Sequence, residues 1–275
     1  MVNSRKIAMS KVSALETRVR ALSENDSYAV PALEKGLDVL ELLASAPDGL
    51  TKSQIARALN RTASEIFRML ICLERRGYIA QVEGERVSLT LKMFKMVQQH
   101  PPTERLIATA LPVMYHLAHD ILQSCHLAVL EGGRLVILSQ VNAPTPIGFF
   151  VKPGSTVDIM EAASGYVLLA HMSDAQRERT LRDWKREAGR AMPRGLNSHL
   201  KRIAQAGFER QGSYLVKGVT NLSCPILDGR QSAVAALTVP FIELSGSKVK
   251  EPEVLKALRE AAGEISTAIG GTSPG

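Results

Sequence analysis

The chain has 275 residues, of which 45% are hydrophobic and 22% charged, with a formal net charge of +7. These values describe an ordinary soluble globular protein with room for two domains, each large enough for its own core. No apolar run approaches the ~20 residues a bilayer span requires, and the N-terminus lacks the apolar core of a secretory signal. Cys72, Cys125 and Cys224 are far apart and show no metal spacing, so a cytoplasmic protein with reduced thiols, no metal site and no cofactor is expected. The positive balance suits a polyanionic partner without identifying one. Residues 1–95 hold 15 Lys/Arg against 11 Asp/Glu, so charge alone does not carry the argument.

Residues 1–29 are polar and basic, either a frayed tail or an arm reaching a DNA backbone or minor groove. Pro31 then opens an amphipathic helix with Leu33, Leu37, Leu40 and Leu43 on one face, and Ala46-Pro47-Asp48-Gly49 ends it with turn chemistry. Thr51 to Gln54 offers an N-cap before Ile55, Ala56 and Leu59. Asn60-Arg61-Thr62 breaks that pattern, and a second helix runs from Ser64 through Leu73 until Gly77 stops it. Tyr78-Ile79-Ala80 and Val87-Ser88-Leu89 flank a Glu83-Gly84-Glu85 turn. Two short helices followed by a β-hairpin form a winged helix-turn-helix, the arrangement by which proteins enter the DNA major groove.

A helix over Thr90 to Gln99 leaves the wing, Pro101-Pro102 interrupts it, and a longer helix from Glu104 to Leu122 carries a kink at Pro112. Beyond it the character changes. Cys125–Glu131 and Arg134–Val141 read as strands around Gly132-Gly133, and Ile147–Val151 as a further short strand. Helices follow at 161–171, 174–188 and 197–206. A second hairpin joins Leu222–Leu227 to Ser232–Phe241, and an amphipathic helix from Pro252 to Ile269 closes the chain. Strands and helices do not alternate regularly, so the fold class is α+β with an antiparallel sheet rather than a doubly wound parallel one. The expected organisation is an arm at 1–29, a winged helix-turn-helix domain at 30–92, a linker helix region at 93–122 and a second domain at 123–271.

Base edges are contacted from the N-terminal part of the second helix of such a unit. That region offers Arg61, Thr62, Ser64, Glu65, Phe67 and Arg68, with Ile66, Met69, Leu70 and Leu73 at the spacing of a buried face. Arg61 or Arg68 can bond guanine and Ser64 a base or phosphate. Ser53 and Gln54 suit phosphates, and Arg86 on the wing suits an adjacent groove or backbone.

The segments Ala32 to Leu43, Leu50 to Ala56, Phe67 to Leu70 and Leu73 to Ile79 resemble the IclR family of bacterial transcriptional regulators. So do His126 to Leu130, Ala163-Ser164-Gly165, Gly218-Val219, Asp228 to Leu237 and Ala261–Ile265, and the resemblance covers roughly residues 30–270. It implies a winged-helix DNA-binding domain joined by a helix to a GAF-like effector-binding domain. It also implies a homodimer or homotetramer, a double-stranded operator, and a small organic or aromatic acid as ligand.

The implied pocket keeps the small-residue loop Ala163, Ser164 and Gly165, which opens a helix whose N–H groups suit a carboxylate. It departs elsewhere. Gln211 stands where an acidic residue is frequent, Asn221 where a cysteine is frequent, Thr238 for a serine, and Pro240 for Ser or Gly. A neutral lining of Ser164, Asn221 and Thr238, with Phe149 and Phe150 as an apolar wall, suits a polyhydroxylated or carboxylated ligand over a cation. Two other readings compete: a small-molecule hydrolase using Cys224, and a winged-helix module that binds protein.

Overall fold

The computed structural model describes residues 30–98, 101–243 and 249–272, and the arm at 1–29 lies outside them. The chain divides between residues 99 and 100 into two compact units.

The first unit begins with helix α1 (Pro31–Ala44), whose Pro31 sits in the first turn, where its missing N–H costs nothing. Strand β1 (Leu50–Thr51), helix α2 (Lys52–Ala58), helix α3 (Ala63–Arg75), strands β2 (Ile79–Val82) and β3 (Arg86–Leu89), and helix α4 (Lys92–Gln98) follow. The three strands form an antiparallel sheet in the order β1-β3-β2. Strand β1, two residues long, carries too little pattern to be read from sequence. It exists because Leu50 and Thr51 pair with Val87 and Arg86. The core gathers Val39, Leu40, Leu43, Ile55, Ala56, Ile66, Leu70, Ile79 and Val87. At about 1.5–3 kcal/mol for each fully buried large aliphatic side chain, these contacts outweigh the weak helix propensity of such short segments. One expectation fails. Leu33 and Leu37 are 60% and 49% exposed, because the residues that α1 buries, Val39, Leu40 and Leu43, all lie in its C-terminal half.

The second unit opens with helix α5 (Pro101–Ile121), so Pro101 and Pro102 start a helix rather than interrupt one, and the helix runs through Pro112 as a single element. Six antiparallel strands follow, interleaved with helices: β4 (Cys125–Glu131), β5 (Arg134–Val141), β6 (Thr156–Asp158), α6 (Ala163–Ala170), α7 (Asp174–Ala188), α8 (Leu196–Ala206), β7 (Glu209–Gly212), β8 (Val219–Leu227), β9 (Ala233–Ile242) and α9 (Glu251–Ala268). Their order is β6-β5-β4-β9-β8-β7. Ile147–Val151 is not a strand. The edge of β5 is taken instead by the chain beyond the Pro153-Gly154 turn, where the Gly154 amide donates to the Ile137 carbonyl and the Ile137 amide to that of Ser155. Ile147 and Phe150 are left 66% and 64% exposed, so Phe150 is no pocket wall.

Both faces of this sheet are covered. Leu127, Leu222, Cys224, Leu237 and Val239 pack with α5 and α9. Ala128, Ile137 and Ala236 pack on the other side with Val167, Leu168, Trp184, Leu200 and Ile203 of α6, α7 and α8. The β4–β5 turn is held against α7 through Gly133, whose φ is +82° and whose added Cβ would lie 2.6 Å from the Trp184 nitrogen. Gly132, at φ +55°, has open space around it. The two glycines therefore separate backbone strain from steric clash. Gly132→Ala should cost about 1 kcal/mol, and Gly133→Ala about 3 kcal/mol or more, because the backbone of α7 must also move. Urea unfolding of the two variants checks the difference.

Candidate functional site

Helices α2 and α3 begin with the same device. The Thr51 hydroxyl accepts from the Gln54 amide (3.3 Å) while the Gln54 carboxamide oxygen accepts from the Thr51 amide (2.8 Å). Thr62 and Glu65 repeat this reciprocal cap on α3. Glu65 also accepts from the Lys35 ammonium at 2.6 Å and from the Thr62 hydroxyl at 2.9 Å. The Lys35 bond foremost, with those from Thr62, holds its carboxyl down to about 2. Thr62 and Glu65 thus fix where α3 starts and which way it faces. The carboxamide oxygen of Gln54 is likewise engaged in its cap. Arg86 is also turned inward: one guanidinium nitrogen donates to the carbonyls of Asp48 (3.4 Å) and Gly49 (3.3 Å), bracing the wing on the turn after α1. The wing tip itself, Glu83-Gly84-Glu85, is exposed and acidic.

The outward face of α3 carries a stripe at helical spacing, Ser64, Phe67, Arg68, Ile71 and Arg75, with Ala63, Cys72 and Glu74 also exposed around it. Arg61 and Ser53 are exposed beside it. Lys52 at the start of α2 places its ammonium 5.2 Å from the centre of the Phe67 ring. Sequence reasoning missed Lys52 and Ile71, which the α2–α3 turn brings onto this surface. The stripe matches the recognition face of a helix-turn-helix.

The second site lies on the sheet face that α6 and α8 cover. Strand register lines up Gln140, His126, Thr238, Ser223 and Glu209 on five neighbouring strands, β5-β4-β9-β8-β7. Directly opposed residues share a face, so these five form one polar row across an otherwise apolar surface. Ser223 and Thr238 satisfy one another at 2.8 Å. Glu209 pairs with His199 of α8 at 3.1 Å, and that imidazole meets the Tyr166 ring of α6 edge-on at 5.0 Å. Gln211 and Asn221, opposed on β7 and β8, stand one pleat further along the same face.

Three buried atoms around this row have no protein partner among the described residues: Nδ1 of His126 and the carboxamide oxygens of Gln140 and Gln211. Gln140 cannot be turned to hide its acceptor, because its nitrogen donates to Asn142 Oδ1 (3.2 Å) and the Phe149 carbonyl (3.0 Å). A buried polar atom left unsatisfied costs about 1–3 kcal/mol. Such atoms therefore point to a surface completed by something polar.

Helix α6 supplies the roof. Ala163, Ser164 and Gly165 are buried, and α6 has no side-chain cap at Ala162. Gly165 is required there, since a Cβ would fall 2.0 Å from the Ile159 carbonyl oxygen. The loop carrying that carbonyl is fixed by Asp158, which accepts from the Met160 amide (2.8 Å), Trp184 Nε1 (2.9 Å) and Arg190 (2.7 Å). Phe149 is half-buried in the loop after β5. Of the expected pocket residues, register unites Gln211, Asn221 and Thr238 with a row that sequence reasoning did not find. That row was visible only as single polar residues inside apolar strands. Cys224 points to the opposite core, fully buried, with burial pushing its thiol up to about 12, so it holds no thiolate for the hydrolase reading.

Burial holds the His126 imidazole down at about 4 and also lowers that of His171. A group with a depressed folded-state value stabilises above its unfolded value, near 6.5, and that contribution is lost as pH falls toward 4. Wild type should therefore lose about 2 kcal/mol more than His126→Leu between about pH 6.5 and 5, read from urea unfolding at each pH.

Comparison with known proteins identifies both units. A model of the IclR helix-turn-helix domain matches residues 32–83, and one of the bacterial transcriptional regulator IclR C-terminal region matches residues 102–267. The HTH-type transcriptional regulator BhcR of Paracoccus denitrificans is 28% identical over 256 residues, covering 90% of this chain and 91% of that protein. The HTH-type transcriptional regulator KdgR of Escherichia coli is 24% identical over 248 residues, covering 88% and 94%. Among solved structures, an IclR homolog from Microbacterium hydrocarbonoxydans in complex with 4-hydroxybenzoate has a TM-score of 0.71 at 23% identity, covering 86% of this chain and 98% of that one. Thermotoga maritima IclR has a TM-score of 0.68 at 22% identity, with the same coverage. No described helix is long and apolar enough to cross a membrane. The winged unit with its outward α3 stripe and the α+β unit with its two-sided antiparallel sheet are those of one family: the chain belongs to the IclR family of DNA-binding transcriptional regulators.

Proposed function

We propose that this regulator controls a catabolic operon, as a repressor, in response to a small organic, sugar-derived or aromatic acid. The observation that carries the ligand reading is the polar row with its three unpartnered atoms beneath an uncapped helix. The start of α6, which has no side-chain cap, suits a carboxylate. Gln211, Asn221 and Thr238 suit the hydroxyl or ring substituents of the same molecule. The one acidic side chain of the row, Glu209, is paired with His199. The aromatic acid 4-hydroxybenzoate bound to the Microbacterium homolog supports the same class.

In this reading residues 30–92 read DNA, 93–122 link and 123–271 sense, in a cytoplasmic homodimer or homotetramer. Two copies place two α3 helices on a palindromic operator, with half-sites spaced by the helical repeat. The exposed apolar edge of α1, Val30, Leu33 and Leu37, supports self-association. Effector binding shifts operator affinity only by its differential affinity for the two placements of α3.

Two measurements test these assignments on the full chain. Arg68→Ala should weaken operator binding about tenfold or more in a mobility shift while leaving the effector-induced rise in Tm unchanged. Equal loss of both would remove α3 from the DNA surface. In a thermal-shift screen of organic acids, an acid that raises Tm should lose affinity about tenfold in Gln211→Leu, because the hydroxyl or ring substituent beside it would lose its hydrogen-bond partner. Unchanged affinity there would move the acid away from β7 and β8.

A further inference from the structure

The outward stripe of α3 contains two large apolar side chains, Phe67 and Ile71, each 47% exposed and one turn apart. The core of the unit has no use for them, since Ile66 and Leu70 form the buried face of the same helix. Their neighbours are Ser64, Arg68 and Arg75 on the stripe, with Lys52 over the Phe67 ring and Arg61 just before the helix. Glu74 flanks the stripe one turn beyond Ile71, and the four cations outnumber it. Such a surface repels a second copy of itself and attracts a polyanion, so its occupant is the DNA duplex.

Inside the major groove the base edges present hydrogen-bonding atoms and one alkyl group, the C5-methyl of thymine. A phenyl ring laid against N7, O6, N6 or N4 would strip those atoms of water and return no hydrogen bond, at the cost of an unsatisfied polar group. Against a thymine methyl it loses nothing and removes apolar surface from water on both sides. Geometry also fixes its reach. The Lys52 ammonium beside the ring belongs to the start of α2, a place suited to phosphates, and Arg68 is the next residue along α3. We propose that Phe67, with Ile71 behind it, reads a thymine C5-methyl in each operator half-site, next to the base pair read by Arg68. This rests on α3 being the recognition helix.

The experiment uses the full-length protein to select sites from a random duplex pool and then replaces each selected thymine by uracil, which removes only the methyl group. Wild type should lose about three- to fourfold in affinity per methyl at one thymine position of each half-site. Phe67→Ala should bind more weakly and no longer feel that replacement, while Phe67→Leu, still apolar, should keep part of the discrimination. Uracil tolerated at every thymine, or discriminated equally by wild type and Phe67→Ala, overturns the methyl reading. Arg68→Ala distinguishes that failure from failure of the recognition helix itself. If Arg68→Ala weakens binding to the selected site, α3 remains the reader and only Phe67 is misassigned. If it does not, or no site is enriched, both fall.

Discussion

Everything in the second unit depends on the pairing register of β4, β9 and β8. Side chains alternate across a strand, so a slip by one residue would exchange the two faces of the sheet. In the observed register Leu127, Leu237, Leu222 and Cys224 enter the core with α5 and α9, while His126, Thr238 and Ser223 fall into line beneath α6. The same constraint builds the core and the polar row. The apolar face fixes the register, since burying His126 and Ser223 among α5 and α9 would leave Leu127 and Leu222 on the polar side. The site is thus a by-product of a core that tolerates no other alignment.

The first unit meets a different constraint: its few polar side chains serve either structure or contact. Thr51, Gln54, Thr62, Glu65, Lys35 and Arg86 hold caps and the wing in place. The residues left outward, Ser53, Arg61, Ser64, Phe67 and Arg68, have no such task. Reciprocal caps at both α2 and α3 fix the angle between these helices from both ends of a short turn, which keeps the outward stripe in one orientation.

The elements that were legible in the sequence are those whose signal is local. The α2–α3 pair, the Gly132-Gly133 hairpin and the closing helix each announce themselves through a cap, a turn or a periodicity. Elements that exist through a distant partner were not legible. Strand β1 has two residues, and β7 (Glu209–Gly212) carries no apolar alternation, yet both pair because a neighbour's edge is waiting. Ile147–Val151 has strand composition and no free edge to join. Site residues divide likewise. Arg68 and Ser64 follow from position on a helix, whereas His126 and Gln140 acquire meaning only when four strand pairings place them in a row. Thr62 and Glu65 carry a cap that their identity alone did not announce, because the same residue types cap helices and contact DNA.

The acidic tip of the wing has a consequence for how the protein behaves among a genome's other sites. Glu83 and Glu85 extend from a hairpin that in many winged domains would touch the phosphate backbone, and here they repel it. Non-specific binding is almost wholly a matter of cations meeting phosphates, so two carboxylates on the foremost loop weaken the hold on every wrong sequence. The correct site suffers the same repulsion, which on the proposed reading is offset by base contacts from α3. Occupancy in a cell depends on the ratio of these affinities rather than on either one. A repulsion common to all sites leaves that ratio as it is and shortens the protein's stay on each of them, which speeds its passage from one sequence to the next.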